Sequence, residues 1–175
     1  NVTNNQLTTV FSSGAFLIIA MCMAIGGSSG STAGGIKLSR IGIIAKSMVS
    51  TIKETLSPST ARVSVRYYHL GRKVLTTDEA KAAMTVSALF VVTYLIGSLA
   101  GIAHGYDAIS SIFESVAMAS NGGLSSGIVS RGMPAGLELV YILEMWVGRL
   151  EFITLLALAV KVFVSLVPRK KAMRP

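Results

Sequence analysis

The chain has 175 residues, of which 51% are hydrophobic and only 14% charged, with a mean hydropathy of +0.63. A soluble globular domain carries about 25% charged residues, so this chain has too few to cover a wet surface. Its net charge of +8 would suit nucleic acid, yet Lys and Arg clustered in an apolar chain instead mark a cytoplasmic membrane face. No nucleic-acid partner is expected. The polar N-terminus lacks the basic n-region of a signal peptide, and none is read. The single cysteine, Cys22, sits inside an apolar run and reads as a small hydrophobe, with no bearing on disulfides.

The first apolar run, Val10 to Ile25, is sixteen residues without a charge. That is slightly short of the roughly 20 residues needed for a full span unless it starts near Leu7. It meets GGSSGSTAGGIK, with five glycines between Gly26 and Gly35. Glycine costs roughly 1 kcal/mol per helix-interior position, and Ser and Thr compete for the backbone, so the helix breaks there. From Ile36 to Leu56 the pattern is helical again, amphipathic and basic, until Ser57-Pro58-Ser59 stops it. Broken backbone at membrane depth is tolerated only where protein buries it or water lines it. Next, VSVRYYHLGRKVL alternates around Leu70-Gly71-Arg72, which predicts a short β-hairpin. Thr77 with Asp78 and Glu79 predicts a capped helix start. Ala82–Ala103 then runs twenty-two residues without a charge, the clearest transmembrane helix. Asp107 caps AISSIFESVAMAS, about three turns and too short to span. That helix ends at SNGGLSSG. The last helix starts near Pro134, suited to a first turn, and continues to about Val167, some 50 Å at 1.5 Å per residue.

Lys and Arg set the topology. Nine of the sixteen lie between Lys37 and Lys81 and four after Pro168, whereas 104–133 holds only Arg131. By the positive-inside rule, 37–81 and the C-terminus are cytoplasmic and 104–133 is external. The short helix must then enter and leave on the outer side, as a re-entrant pore helix. The expected fold is an all-α polytopic membrane protein with a helix–pore-loop–helix repeat, a broken inner helix and a short cytoplasmic β-hairpin.

A short helix followed by SNGGL between two spanning helices has the layout of an ion selectivity element. A dehydrated cation needs a cage of oxygen dipoles, and backbone carbonyls provide one. Gly122 and Gly123 permit the backbone conformations that aim successive carbonyls together, and the helix C-terminus adds its negative dipole end. Taken locally, Asn121-Gly122 is an ordinary turn signal; the flanking topology favours the filter. Arg149 lies near the middle of a spanning helix, where an arginine faces a cavity or an acidic partner. Glu144 and Glu151 are the acidic candidates. Glu114 reads either as buried filter support or as an exposed outer carboxylate.

GGSSGSTAGGIK before a basic amphipathic helix, SNGG after a short helix and VGRLE in the last helix together resemble the TrkH/KtrB potassium transporter superfamily. The resemblance covers nearly the whole chain. It implies four helix–pore-loop–helix repeats around one pathway. Residues 1–56 would be the inner helix of the third repeat, with its filter just upstream of Asn1. An intramembrane loop at 26–35 breaks that helix. Residues 57–77 would be a cytoplasmic connector, and 78–175 the fourth repeat. Within it fall an outer helix 78–103, a pore helix 107–119, a filter 120–124 and an inner helix 134–167. The filter is Ser120, Asn121, Gly122, Gly123 and Leu124, with K+ held by carbonyls of Asn121, Gly122 and Gly123. Either glycine could be the characteristic one. Glycine rather than serine there favours potassium over sodium. The gate implied is the loop (Gly26, Gly27, Ser28, Ser29, Gly30, Ser31, Thr32, Gly34, Gly35) with Arg149 pointing into the pathway beneath the filter. A permanent packing break is the plain alternative for the loop. The resemblance also implies no resident cofactor, K+ as the transported ion, a multi-pass location in the cell membrane and contact with lipid. Its implied partners are the remaining repeats, a second copy in a homodimer and a cytosolic nucleotide-binding regulatory ring of TrkA/KtrA type. One and a quarter repeats cannot enclose a pore, so the chain is expected to be a fragment of a longer one.

Three other readings compete. The glycine-rich segment fails the phosphate-loop spacing because Ile36 separates Gly35 from Lys37. It does satisfy the G-x-S-G of intramembrane serine proteases, with Ser28 or Ser29 as nucleophile. That enzyme would need a histidine at the same depth, and His69 and His104 are expected in the cytoplasmic loop and at the outer edge. The expectation is therefore not an enzyme. A non-transporting scaffold would leave the re-entrant loop without a purpose.

Overall fold

The computed structural model describes residues 12–28, 31, 33–56, 76–150 and 161, together with the backbone of 66–68 and 72–74. Helix α1 spans Ser13–Ala24 and is apolar on every side, as a helix enclosed by protein or lipid is. Ser12 caps it, its Oγ accepting from the Ala15 N–H at 3.5 Å. Phe16 and Ala20 are buried, while Leu17, Ile18 and Met21 face outward.

The glycine-rich break is tied at its neck. Strand β1, Ile25–Gly26, pairs in parallel with β2, Ile36–Lys37, bringing Ile25 beside Ile36 and Gly26 beside Lys37. The Leu38 N–H donates to the Gly27 carbonyl at 3.2 Å and extends the clamp. The chain therefore leaves the loop in the direction in which it entered. Helix α2, Leu38–Leu56, continues from β2, lies along α3 and has no fully buried residue. Strands β3, Arg66–Tyr68, and β4, Arg72–Val74, form the antiparallel hairpin expected around Gly71.

Helix α3, Thr77–Ala103, is 27 residues and about 40 Å long. Among the described residues it is the helix long and apolar enough to cross a membrane. Its cap is Thr76 rather than the expected Thr77. Thr76 places Glu79 at the third helical position and completes a reciprocal box: Glu79 N–H to Thr76 Oγ1 and Thr76 N–H to Glu79 Oε2, both 3.3 Å. A cap at Thr77 would put Ala80 there, which cannot reach back. Helix α4, Ala108–Ser120, is capped by Asp107, whose Oδ2 accepts from Ile109 and Ser110. Helix α5, Ala135–Leu150, begins beneath the Pro134 carbonyl, which accepts from Leu137 and Glu138 at 3.0 Å. The rest of the inner helix expected to 167 lies outside the described residues, apart from Lys161.

Short as it is, α4 is the centre of the packing. It contacts α1, α3 and α5, and eight of its thirteen residues are buried. Phe16 of α1 meets Phe113 with ring centroids 4.7 Å apart, beside Ala20 and Val116. On the opposite flank, Gly97 and Gly101 of α3 form a one-turn small-residue seam. The Glu144 carboxylate of α5 lies directly on Gly97, and Ser111 of α4 packs over Gly101 with Tyr141. Outward faces of α3 (Val91, Val92, Leu95, Ile96, Leu99) and α5 (Leu139, Ile142, Leu143, Trp146) stay apolar and exposed. Such surface is stable in lipid or against further protein, not in water.

Candidate functional site

Helix α4 ends in a Schellman turn that organises the site. Asn121 adopts the left-handed conformation (φ 54°), its N–H donating to Met118 at 3.1 Å while the Gly122 N–H donates to Ala117 at 3.0 Å. Those bonds use the carbonyls of 117 and 118. The Ala119 and Ser120 carbonyls continue past the cap, carrying the negative end of the helix dipole. Both meet bare backbone from elsewhere. A Cβ at Gly34 would stand 2.7 Å from the Ser120 oxygen and 3.0 Å from the Ala119 oxygen, and one at Gly148 would collide with the Ala119 carbonyl. The glycine-rich loop and α5 thus both seat against the end of α4.

Ser120 is the last helical residue and is buried; Asn121 and Leu124 are half-buried, and Gly122 and Gly123 exposed. Asn121 Nδ2 donates to the Met145 carbonyl at 3.4 Å, Gly122 lies against Met23, and Leu124 joins the Phe16–Phe113 cluster. The two glycines differ in their reason for being glycine. Gly123 has a φ of 73°, which disfavours any side chain, whereas Gly122 is limited by two side-chain ends, the tip of Met23 and the Ser120 hydroxyl. Glu114 is fully buried, so of its two readings the outer exposed carboxylate is excluded; it holds Ser125 and Ser126, just after the segment.

In the loop, the Ser31 N–H donates to the Ser28 carbonyl at 2.8 Å, and Ser31 Oγ accepts from Ala33 N–H at 3.1 Å. Ser29, Gly30 and Thr32 lie outside the described residues. Loop residues Ser31 and Gly35 line a cavity of about 170 Å³ with Phe90, Arg149, Lys37 and Arg40. The structure therefore brings Arg149 to the loop. It also brings Lys37 and Arg40, which charge sorting alone places only on the cytoplasmic side; their arrival depends on the β1–β2 clamp, which has no sequence signal of its own.

Glu144 turns to other work. At 3% exposure it points to α3 and α4, with Ser115 Oγ at 2.8 Å from its Oε1. Five residues apart on a helix, Glu144 and Arg149 project about 140° from each other. His104, the histidine among the described residues, bonds the Ala100 carbonyl at the far end of α3. It lies fourteen residues beyond Phe90, about 21 Å along the helix, so it offers no base to a nucleophile in the loop. His69 lies outside the described residues.

A short buried helix packed among helices with apolar outer faces, one of them (α3) long and apolar enough to cross a membrane, is the architecture of an α-helical polytopic membrane protein. The family model described as TrkH, cation transport protein, matches residues 10–166, and the chain belongs to that family. It is 35% identical over 161 residues to an uncharacterized cation transporter of Methanocaldococcus jannaschii, covering 90% of this chain and 33% of that one. To the Trk system potassium uptake protein TrkH of Escherichia coli it is 31% identical over 150 residues, covering 83% and 30%. The crystal structure of the potassium transporter TrkH from Vibrio parahaemolyticus superposes with a TM-score of 0.70 at 24% identity, over 87% of this chain and 32% of that one. That likeness shows the fold. The chain spans about a third of the length of the curated relatives it matches.

Proposed function

We propose that the chain is the C-terminal part of a potassium uptake transporter of the cell membrane, not an enzyme. In this reading α1, the loop and α2 are the third repeat's inner helix; α3, α4, 120–124 and α5 supply the fourth repeat. Carbonyls of Asn121, Gly122 and Gly123 face K+ as one quarter of a filter, with Gly123 as the characteristic glycine. The loop below it is the gate, and Arg149 sets a positive barrier in the pathway. The observation that carries this reading is the seat of Gly34 against the last carbonyls of α4, with Arg149 in the same cavity as the loop. A gate so placed lies directly beneath the ions it would control. The potassium uptake protein named among the relatives supports the choice of ion.

The remaining repeats, a second copy and a cytosolic nucleotide-binding regulator of TrkA/KtrA type would complete the assembly. The basic stretch 37–81 and the C-terminus would face the cytoplasm, and 104–133 the exterior. The test is rubidium and potassium uptake by the full-length protein in cells lacking their own uptake systems. Saturable uptake that prefers potassium to sodium is expected, with three further pore loops upstream. Absence of those loops, or of cation flux, overturns the assignment.

A further inference from the structure

Glu114 has a role that neither the fold nor the gate explains. It is 0% exposed, six residues before Ser120 on α4. A carboxylate so enclosed is costly unless hydrogen bonds replace its water. Three donors reach it, all from the two residues after Leu124. Ser125 Oγ lies 2.8 Å from Oε1, and the Ser126 N–H and Oγ each lie 2.6 Å from Oε2. Ser126 Oγ also lies 3.2 Å from the Ser110 carbonyl, and Ser125 Oγ accepts from the Gly127 N–H at 3.1 Å. Segment 120–124 is thereby held at both ends: by the Schellman turn where it leaves α4, and by Glu114 where it ends.

We propose that Glu114 is a positioning residue for ion selection, fixing the direction of the 121–123 carbonyls by anchoring 125–126 to α4. The proposal rests on reading 120–124 as a filter. Selection among cations depends on how carbonyl dipoles are arranged around the ion, so an anchor one residue beyond the segment acts on it directly. A carboxylate suits the task because it only accepts, and every group facing it donates. Glutamine has nearly the same shape but offers one acceptor oxygen in place of two, so an NH2 turned toward Ser125 leaves that hydroxyl without the acceptor it donates to.

The test compares Glu114→Gln and the double variant Ser125→Ala/Ser126→Ala in the full-length transporter, reconstituted in lipid vesicles. The readout is the ratio of potassium to sodium flux, which protein abundance does not change. Loss of a hydrogen bond to a buried charge predicts a fall of roughly tenfold in that ratio for Glu114→Gln, and a smaller fall for the double variant. A ratio within about twofold of wild type in both variants overturns the positioning role, since each lost bond would carry several-fold. Should Glu114→Gln not assemble, the double variant decides, because it keeps the carboxylate and its backbone donor. A wild-type protein without potassium preference overturns the filter reading, and this role with it.

Discussion

The contact between Gly34 and the end of α4 is the most direct handle on the proposed gate. In Gly34→Ala the new methyl would stand 2.7 Å from the Ser120 oxygen, 2.9 Å from its carbon and 3.0 Å from the Ala119 oxygen. Relaxed carbon–oxygen contacts run about 3.3–3.6 Å, so relief requires a shift of about half an ångström or more. All three atoms are backbone in a capped, buried helix, so the loop is the part that moves. Gly34 is not in the left-handed region, which isolates packing as the cause. Overpacking of this kind costs about 1–3 kcal/mol. If that strain falls on the seated loop alone, the seated-to-released ratio shifts by about 5- to 150-fold. Rubidium uptake by the full-length transporter should therefore rise, most clearly under conditions that hold the wild type closed. Gly42→Ala in α2 is the control, having nothing within 4 Å. It should leave uptake alone and add up to about 1 kcal/mol of helix stability. Uptake by Gly34→Ala indistinguishable from this control would refute the seat as a gating contact.

Arg149→Gln should raise potassium flux or alter its gating, measured in the same assay; unchanged flux and gating count against a role in the pathway. Ser115→Ala removes the hydroxyl shared between Glu144 Oε1 and the Tyr94 carbonyl. Among the described residues Glu144 Oε2 already has no hydrogen-bond partner, so a cost of about 1–3 kcal/mol is expected as a lower melting temperature. An unchanged melting temperature would show that the carboxylate finds another donor. Gly123→Ala forces a side chain into a left-handed position at about 1–2 kcal/mol, whereas Gly122→Ala need displace only side-chain ends, those of Met23 and Ser120. The first should therefore lower potassium preference more than the second, and the reverse order would assign the characteristic glycine to Gly122.

Much of the helical framework was legible because its signals are local. Asp107, the charge-free Ala82–Ala103 run and Pro134 each mark a boundary through groups within a few residues. The cap of α3 was misplaced by one because two threonines adjoin, and only the reach of Glu79 decides between them. The β1–β2 clamp escaped because two-residue pairing across a loop leaves no periodicity. The seat of Gly34 escaped for a different reason: its partners lie some 85 residues away in α4. Likewise, Glu114 showed itself as a buried or exposed carboxylate, but its serine partners follow only once the chain folds back beside α4.

The parallel clamp at Ile25–Gly26 and Ile36–Lys37 has a consequence for variation. The chain leaves Gly26 and returns at Ile36 beside Ile25, heading the same way. A detour of another length that keeps the clamp and the Gly34 seat would leave the phase between α1 and α2, and with it the bearing of Arg40, unchanged. The loop is an exchangeable cassette, and the gate proposed for it could be retuned without rebuilding the helices that carry it.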